Sequence, residues 1–317
     1  MRRCYTTKVW EELEKDVSIE GYCAYLTQSA FRRLEFDVYE HVRALFKVDG
    51  EPKEMLSLTE AHPQLAFSSI GDGSYLVSAN LRTLTEMGRK LGCDGRDCHA
   101  LSGFIRDISP TVAASLESDS GERSFNGEKP ASAGASDAGF RTIIVQQLDQ
   151  AKVLELVGRD VSPRQLMKHS FATVEVEGIS RACSHQLVRH RLFSYSQESQ
   201  RFSDAVNEGG VVPPSFDGKE LAKAIFDDHM TASKDAYSRL RGLGIKKEDA
   251  RFLLPAALKT KILMTGSLYQ IMHASFYRST FSDVGNKAQW EIRKLFTTLY
   301  SELRKGDSSL PSRIMET

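Results

Sequence analysis

The sequence predicts an α/β protein of the α+β type with substantial helix, and three stretches carry this prediction. The run FATVEVEG, starting at Phe171, alternates valine with glutamate, as expected for a strand with one buried face. Two strand-like runs flank Gly71-Asp72-Gly73, which is a hairpin signal. Near the C-terminal end, apolar residues repeat at helical spacing: Ile292, Leu295, Phe296, Leu299 and Leu303.

The composition allows one large domain or two smaller ones. The chain has 317 residues, 41% of them hydrophobic, with 42 Lys+Arg against 42 Asp+Glu. Zero net charge argues against general nucleic-acid or membrane-surface binding, which usually needs a basic excess. No apolar run approaches the ~20 residues that a membrane helix needs. Because the N-terminal stretch carries acids where a signal peptide would be apolar, we expect a cytoplasmic protein.

The five cysteines form no disulfide pattern. An odd, scattered set in a chain of this length predicts reduced thiols. Cys93, Cys98 and His99 lie close together in CDGRDCH, but their spacing fits no common zinc pattern and a fourth ligand is missing. We therefore interpret that segment as a loop and expect no metal site.

A segment rich in Ser, Gly and Ala divides the chain. Residues 117–139 have almost nothing to bury, which predicts a flexible linker or surface loop. It separates an N-terminal α/β region, residues 1–116, from a C-terminal portion, residues 140–317. In the N-terminal region a helix is predicted from about Asn80, with Leu81, Leu84 and Met87 on one face.

The C-terminal portion contains five further predicted helices. FRTIIVQQLDQAKVLELVG is predicted as one helix ending at Gly158, and TKILMTGSLYQIMHASFYRS as another, interrupted by Gly266. An amphipathic helix is predicted from Leu221 to Leu240, and a short helix stops at Pro255. In ISRACSHQLVRH a helical stripe is predicted at Ile179, Ala182, Cys183 and Leu187. In the amphipathic helix the predicted buried face contains Ile225, Phe226, Met230 and Tyr237.

The densest chemistry lies in RHRLFSYSQESQRFS, residues 189–203. Three arginines stand there among hydroxyl and amide side chains, with Glu198 as the only acid. Such a stretch favours a bound anion held by guanidinium groups and hydroxyl donors. Arg251 and Arg278 add cations within or beside apolar segments. No Ser/His/Asp or Cys/His arrangement, GxGxxG or phosphate-binding loop occurs, so the residues alone predict a site for a phosphorylated or otherwise anionic small molecule.

The same stretch resembles the flavin-dependent thymidylate synthases. Arg189-His190-Arg191 and Ser199 match the RHR-x7-S signature of that family. GISRACSHQLV upstream, and ARFLLP, TGSLYQIMHASFYR and AQWEI downstream, resemble other family blocks in the same order. The resemblance covers most of residues 171–303, and it implies the family's fold with an extended N-terminal region.

The resemblance also implies an activity. The family methylates a uridylate nucleotide at C5 with FAD as cofactor, methylenetetrahydrofolate as carbon donor and NADPH as reductant. It needs no cysteine nucleophile. Its active sites are shared between the subunits of a homotetramer, so the same assembly is expected here.

The resemblance also implies roles for the residues of this chain that match the family's motifs position by position. Arg278 matches the catalytic arginine that contacts the uracil ring and favours ionisation at N3. The positions implied to bind the nucleotide are Gln186, Arg189, Gln197, Glu198, Ser199, Gln200, Arg201, Arg251 and Arg278. Those implied to bind the flavin are Arg189, His190, Arg191, Gln197, Ser267, Tyr269 and His273.

The chain departs from the family pattern at five places, one of them Pro163 or Arg164, where the family has a further histidine. Lys168 replaces an acid before His169, Ser267 replaces a common amide, and Lys287 stands where a histidine is common. Glu198 occupies a usually apolar position. It either accepts a hydrogen bond from a ribose 2′-hydroxyl, which favours UMP over dUMP, or points outward and pairs with an arginine, Arg201 or Arg191.

Two alternatives remain open from the sequence. One is a nucleic-acid-binding module built on the Arg/His cluster, and the other is a flavoprotein that keeps the scaffold but has lost methylation.

Overall fold

The computed structural model describes residues 40–41, 43–61, 64–84, 134–135, 140–157, 161–203 and 209–312. Most of the predicted linker, the CDGRDCH segment and Met87 lie outside these residues.

A small antiparallel sheet forms from the N-terminal region. Its strands are β1 (Arg43–Asp49), β2 (Ala66–Gly71) and β3 (Ser74–Asn80), in the order β1-β3-β2, and helix α1 (Pro52–Ala61) connects the first two. The predicted hairpin is confirmed, because Asp72 and Gly73 link β2 to β3 with φ of 54° and 69°. Residues 81–84 are helical, and the Asn80 side chain accepts a hydrogen bond from the Thr83 N–H (2.8 Å) at the start of that turn.

A larger antiparallel sheet forms the centre of the C-terminal portion. Its strands are β4 (Gly134–Ala135), β5 (Arg141–Leu148), β6 (Phe171–Ser180), β7 (Ser194–Gln197) and β8 (Lys259–Ser267), in the order β4-β5-β6-β8-β7. All pairs in both sheets are antiparallel, so the α+β interpretation is the right one.

Helices cover one face of this sheet. Val174 and Val176 of β6 and Ile262 and Met264 of β8 are at most 1% exposed and pack with residues of the last two helices. The predicted apolar stripe from Ile292 to Leu303 is confirmed, since all five of its residues are buried. The helices are α2 (Gln150–Val157), α3 (Pro163–His169), α4 (Arg181–Leu187), α5 (Glu220–Gly242), α6 (Lys247–Ala250), α7 (Leu268–Arg278) and α8 (Trp290–Gly306).

Two stretches predicted as single helices are wrong in their first halves. FRTIIVQQ forms β5, which pairs with β6, and TKILMTGS forms β8, which pairs with both β6 and β7. Only the second halves of the two stretches are helical, and they form α2 and α7. In both cases an apolar strand inside a sheet is followed closely by a helix, and the sequence predicted one long helix for the two together.

Smaller corrections concern two helical faces. Ile179 belongs to β6 rather than to α4, and Ala182 is exposed, so Cys183 and Leu187 are the buried members of the predicted stripe. In α5, Met230 and Tyr237 are buried as predicted, but Ile225 is exposed.

Candidate functional site

The arginine-rich stretch is delivered by the unit β6–α4–β7. Ser180 caps α4, since its Oγ accepts a hydrogen bond from the Cys183 N–H (2.9 Å). The buried carboxylate of Glu291, on α8, accepts hydrogen bonds from the Ser180 N–H (2.7 Å) and Oγ–H (2.6 Å). The start of α4 is thus fixed to the core, which sets the positions of Gln186 (partly buried) and Arg189 (exposed) at its end.

The register of β7 separates the predicted site residues into two groups. Ser194 pairs with Thr265 and Gln197 with Ile262. Arg191 therefore lies toward the Ser267 end of β8, whereas the residues after Gln197 lie toward its Lys259 end. These ends are about 26 Å apart, since a strand rises about 3.3 Å per residue.

The Lys259 end holds a polar network around residues 197 and 198. Gln197 Nε2 donates to Ser184 Oγ (2.8 Å), and Arg181 Nη2 donates to the backbone carbonyl of Glu198 (2.7 Å). Burial lowers the pKa of the Arg181 guanidinium, Glu198 opposes that shift and Arg251 adds to it. Arg181, which sequence reasoning missed, therefore lies beside Glu198 and Arg251.

Arg201 and Arg251 meet at one residue of α6. Arg201 Nε lies 3.1 Å from the Glu248 carboxylate, and Arg251 Nε donates to the Glu248 carbonyl (3.1 Å). Ser199 Oγ accepts a hydrogen bond from the Arg201 N–H (3.3 Å), while Gln200 is partly buried in the same turn. The structure thus brings together guanidinium groups that are 50 residues apart in the sequence.

Glu198 is buried, with only 5% of its surface exposed. Its carboxylate lies 4.0 Å from the Lys261 ammonium, which is also buried, and Arg201 pairs with Glu248 instead. The alternative in which Glu198 points outward is therefore wrong. Its charge is compensated from within the sheet.

A third group surrounds the C-terminal half of α7. Burial lowers the pKa of His190, and the nearby Arg278 and His273 lower it further. The His190 ring packs edge-on against Phe296, with ring centres 5.5 Å apart. His273 is exposed and Arg278 partly buried. This environment favours the neutral imidazole of His190.

The Ser267 end opens into a cleft of about 700 Å³ between the two sheets. Arg191, Ser267 and Tyr269 all line it. Ser267 caps α7, since its Oγ accepts a hydrogen bond from the Gln270 N–H (3.1 Å). The Tyr269 hydroxyl accepts a hydrogen bond from Arg164 Nη2 (3.1 Å). The three residues predicted to bind flavin at this end of the sheet therefore share one cavity.

His169 lies inside the molecule, 1% exposed. Its Nδ1 is 3.0 Å from Ser78 Oγ of the small sheet, and Nε2 is buried without a hydrogen-bond partner in the described part of the chain. Burial, together with Lys168, lowers the pKa of His169 to about 4.

Other chemistries find little support in the described residues. They contain no cluster of three or more His, Cys, Asp or Glu side chains placed to hold a metal ion. Within the same residues, no helix combines the length and apolar character that crossing a membrane requires. Cys183 is buried, and burial raises the pKa of its thiol, which is the opposite of an activated nucleophile.

Comparison with known proteins decides the family. Residues 121–307, more than half of the chain, match the family described as thymidylate synthase complementing protein. The chain belongs to this family. The predicted resemblance is thereby confirmed. The small sheet, residues 43–80, lies outside the matched region.

Three curated relatives of this chain support the family match. The chain is 43% identical over 134 residues to the flavin-dependent thymidylate synthase of Geobacter sulfurreducens, covering 42% of this chain and 56% of that protein. It is 37% identical over 154 residues to the enzyme of that name from Pyrococcus furiosus, covering 46% and 59%. A relative from Clostridium tetani with the same name is 35% identical over 155 residues, covering 44% and 60%. The chain thus spans somewhat more than half the length of the curated relatives it matches.

Proposed function

We propose that the protein methylates a uridylate nucleotide at C5 in a flavin-dependent reaction, with methylenetetrahydrofolate as carbon donor and NADPH as reductant. The observation that carries this proposal is the meeting of Arg201 and Arg251 at Glu248, next to Arg181. Three guanidinium groups in one region, of which only that of Arg201 is paired with the Glu248 carboxylate, favour a doubly charged anion such as a nucleotide phosphate. The names of the relatives supply the nucleotide and flavin parts of the proposal.

The nucleotide is held by its phosphate and polarised at its base. Arg201 and Arg251 bind the phosphate, each charge-assisted contact contributing about 1.5–3 kcal/mol. Glu248 orients both arginines, so little ordering remains to be done when the nucleotide enters. Arg278 stabilises the negative charge that loss of the N3 proton leaves on the uracil, which makes C5 more nucleophilic.

The cleft at the Ser267 end fits a flavin dinucleotide. It combines cationic, hydroxyl and aromatic groups, which suit a diphosphate, a ribityl chain and a ring. Arg191, Ser267 and Tyr269 hold the flavin, which when bound supplies the hydride that completes the methyl group. His190, in the separate group beside Arg278 and His273, contributes a neutral imidazole as hydrogen-bond donor or acceptor.

We infer a shared active site, and the separation of the two ends of β8 supports it. Residues about 26 Å apart do not contact one small substrate together, which supports a site that a second copy of the chain completes. The homotetramer expected from the family provides such copies.

The test is an assay of purified protein with FAD, NADPH and methylenetetrahydrofolate, offering dUMP and UMP in parallel. C5-methylated product from either nucleotide supports the proposal. NADPH oxidation without methylated product would instead identify a flavoprotein that has lost methylation. Nucleic-acid binding without flavin binding would favour the binding module.

Glu198 predicts which nucleotide is preferred. A buried carboxylate next to the nucleotide sugar accepts a hydrogen bond from a 2′-hydroxyl, and Lys261 limits its repulsion of the phosphate. Glu198→Leu, which removes the acceptor, should then shift the kcat/KM ratio from UMP toward dUMP. Lys261→Met is the control, since it disturbs the same ion pair without removing the acceptor. An unchanged ratio, or a wild-type enzyme inert toward UMP, would contradict the sugar contact.

A further inference from the structure

The small sheet contributes cations to the cleft. Beside Arg191, the cavity is lined by Arg43 from the start of β1, Arg82 after β3, and Lys168 from α3. Glu40 is the only acid among its described lining residues. It forms an ion pair with Arg82, and the cationic side chains of Arg43, Lys168 and Arg191 line the same space.

Among these cations, Arg43 stands out by its buried side-chain nitrogen. Its Nε is buried and has no hydrogen-bond partner in the described part of the chain. Burial lowers the pKa of Arg43, and Glu40 opposes that shift only in part. A buried guanidinium donor without a partner is costly, and an anionic ligand would satisfy it.

The first turn of α7 adds to the positive potential. Ser267 and Gln270, at the start of this 11-residue helix, line the same cavity. The N-terminal end of a helix carries a partial positive charge and favours phosphate groups. Phe67 and Tyr269 provide aromatic surface beside these charges.

We propose that Arg43, Arg82 and Lys168 join Arg191 in binding the diphosphate of a dinucleotide cofactor, so that the small sheet forms one wall of the cofactor site. The inference rests on the proposed function for the identity of the cofactor. FAD and NADPH both carry the diphosphate, and the experiment below distinguishes them. Arg43, Arg82 and the small sheet lie outside the residues that match the family.

The test compares ligands with and without the diphosphate. The full-length protein and its Arg43→Gln and Lys168→Gln variants are titrated with FAD and FMN by flavin fluorescence, and with NADPH and ADP by calorimetry. We expect each variant to weaken FAD or NADPH, together with ADP, about tenfold or more, and to change FMN affinity less than twofold. Lys47→Gln, an exposed cation on the same strand, should change none of these affinities.

The outcomes separate the inference from the proposed function. Selective loss of FAD affinity assigns the diphosphate to the flavin, and selective loss of NADPH affinity assigns it to the reductant. A wild-type protein that binds ADP through Arg43 but binds no flavin would refute the proposed function and leave the diphosphate site standing. Equal losses for FAD and FMN, or no loss in either variant, would overturn the inference. Because two variants on different elements are compared, misfolding of one leaves the other as a test.

Discussion

Gly266 is the position where one added methyl group should disturb the site most. It lies near the end of β8, and a Cβ atom there would stand 2.2 Å from Cδ1 and 2.5 Å from Cε1 of Phe193. Contacts that short force the Phe193 ring to move. The ring is buried, lines the cleft and packs against Tyr195, with ring centres 6.1 Å apart. Gly266→Ala should therefore change the shape of the cleft, because it displaces the Phe193 ring that lines it.

The expected cost follows from overpacking. Inserting a methyl group into a close-packed site destabilises by about 1–3 kcal/mol. Reduced freedom of the unfolded chain offsets about 0.4–1 kcal/mol of that. Because so short a contact lies at the upper end of the overpacking range, about 2–3 kcal/mol, the net loss is about 1–2.6 kcal/mol and should lower the Tm by roughly 1.5–4 °C in a protein of this size. FAD affinity should fall together with stability, since the displaced ring lines the cleft.

A double-mutant cycle with Phe193→Ala measures the clash directly. Phe193→Ala alone should cost about 3–5 kcal/mol because it leaves a cavity. The methyl group added by Gly266→Ala then fills part of that cavity, so the double variant should be at least ~1 kcal/mol more stable than the sum of the single changes. Gly242→Ala, in α5 with nothing within 4 Å of its Cβ, is the control and should be neutral or slightly stabilising. Additive costs, or a Gly266→Ala variant as stable as wild type, would refute the packing account.

Three further predictions concern charged groups. Arg278→Ala should lower kcat far more than it raises KM, because the arginine acts on charge that develops during the reaction; a variant with normal kcat would contradict this role. Arg201→Ala should weaken binding of the nucleotide about tenfold and leave the uncharged nucleoside unaffected, whereas equal losses would indicate a structural role. His169 has a folded-state pKa of about 4, below its unfolded value of 6.5, so it contributes stability above pH 6.5 that is lost as the pH falls toward 4. The loss should reach about 3 kcal/mol, and His169→Gln should flatten the Tm between these pH values.

Local sequence patterns predicted the elements in which the order of polar and apolar residues, or a backbone restriction, reflects the surroundings in the folded protein. The alternation in β6 holds because one of its faces packs against the helices and is fully apolar. The turn at Asp72 and Gly73 was predictable because its positive φ values restrict the residues that fit there. The stripe of α8 was predictable because a single helix face enters the core.

The missed strands show where such patterns fail. The strand β8 is buried on both faces, including polar residues such as Lys261 and Thr265, and three apolar residues in a row, 262–264, conceal the alternation. The helix α7 begins immediately afterwards, which makes one continuous apolar stretch. The overlooked signal was Ser267 followed three residues later by Gln270, a capping box that marks the true start of the helix.

That single error also concealed part of the candidate site. Lys261 meets Glu198 because β8 pairs with β7 in a register that sets Ile262 opposite Gln197, so the neighbouring residues face each other across the ladder. If residues 259–267 were helical, as the sequence predicted, Lys261 would have no defined relation to position 198. Glu198 would then have only Arg201 and Arg191 as candidate partners, which is how the outward-pointing alternative arose. The anion-binding character of the motif could thus be predicted from its residue types. The cation that balances the charge of Glu198 could not, because Lys261 lies 63 residues further along the chain and reaches Glu198 only through the pairing of β7 with β8. The ion pair also makes the substrate prediction testable, because Glu198 and Lys261 can be changed separately while the arginines that hold the phosphate stay in place.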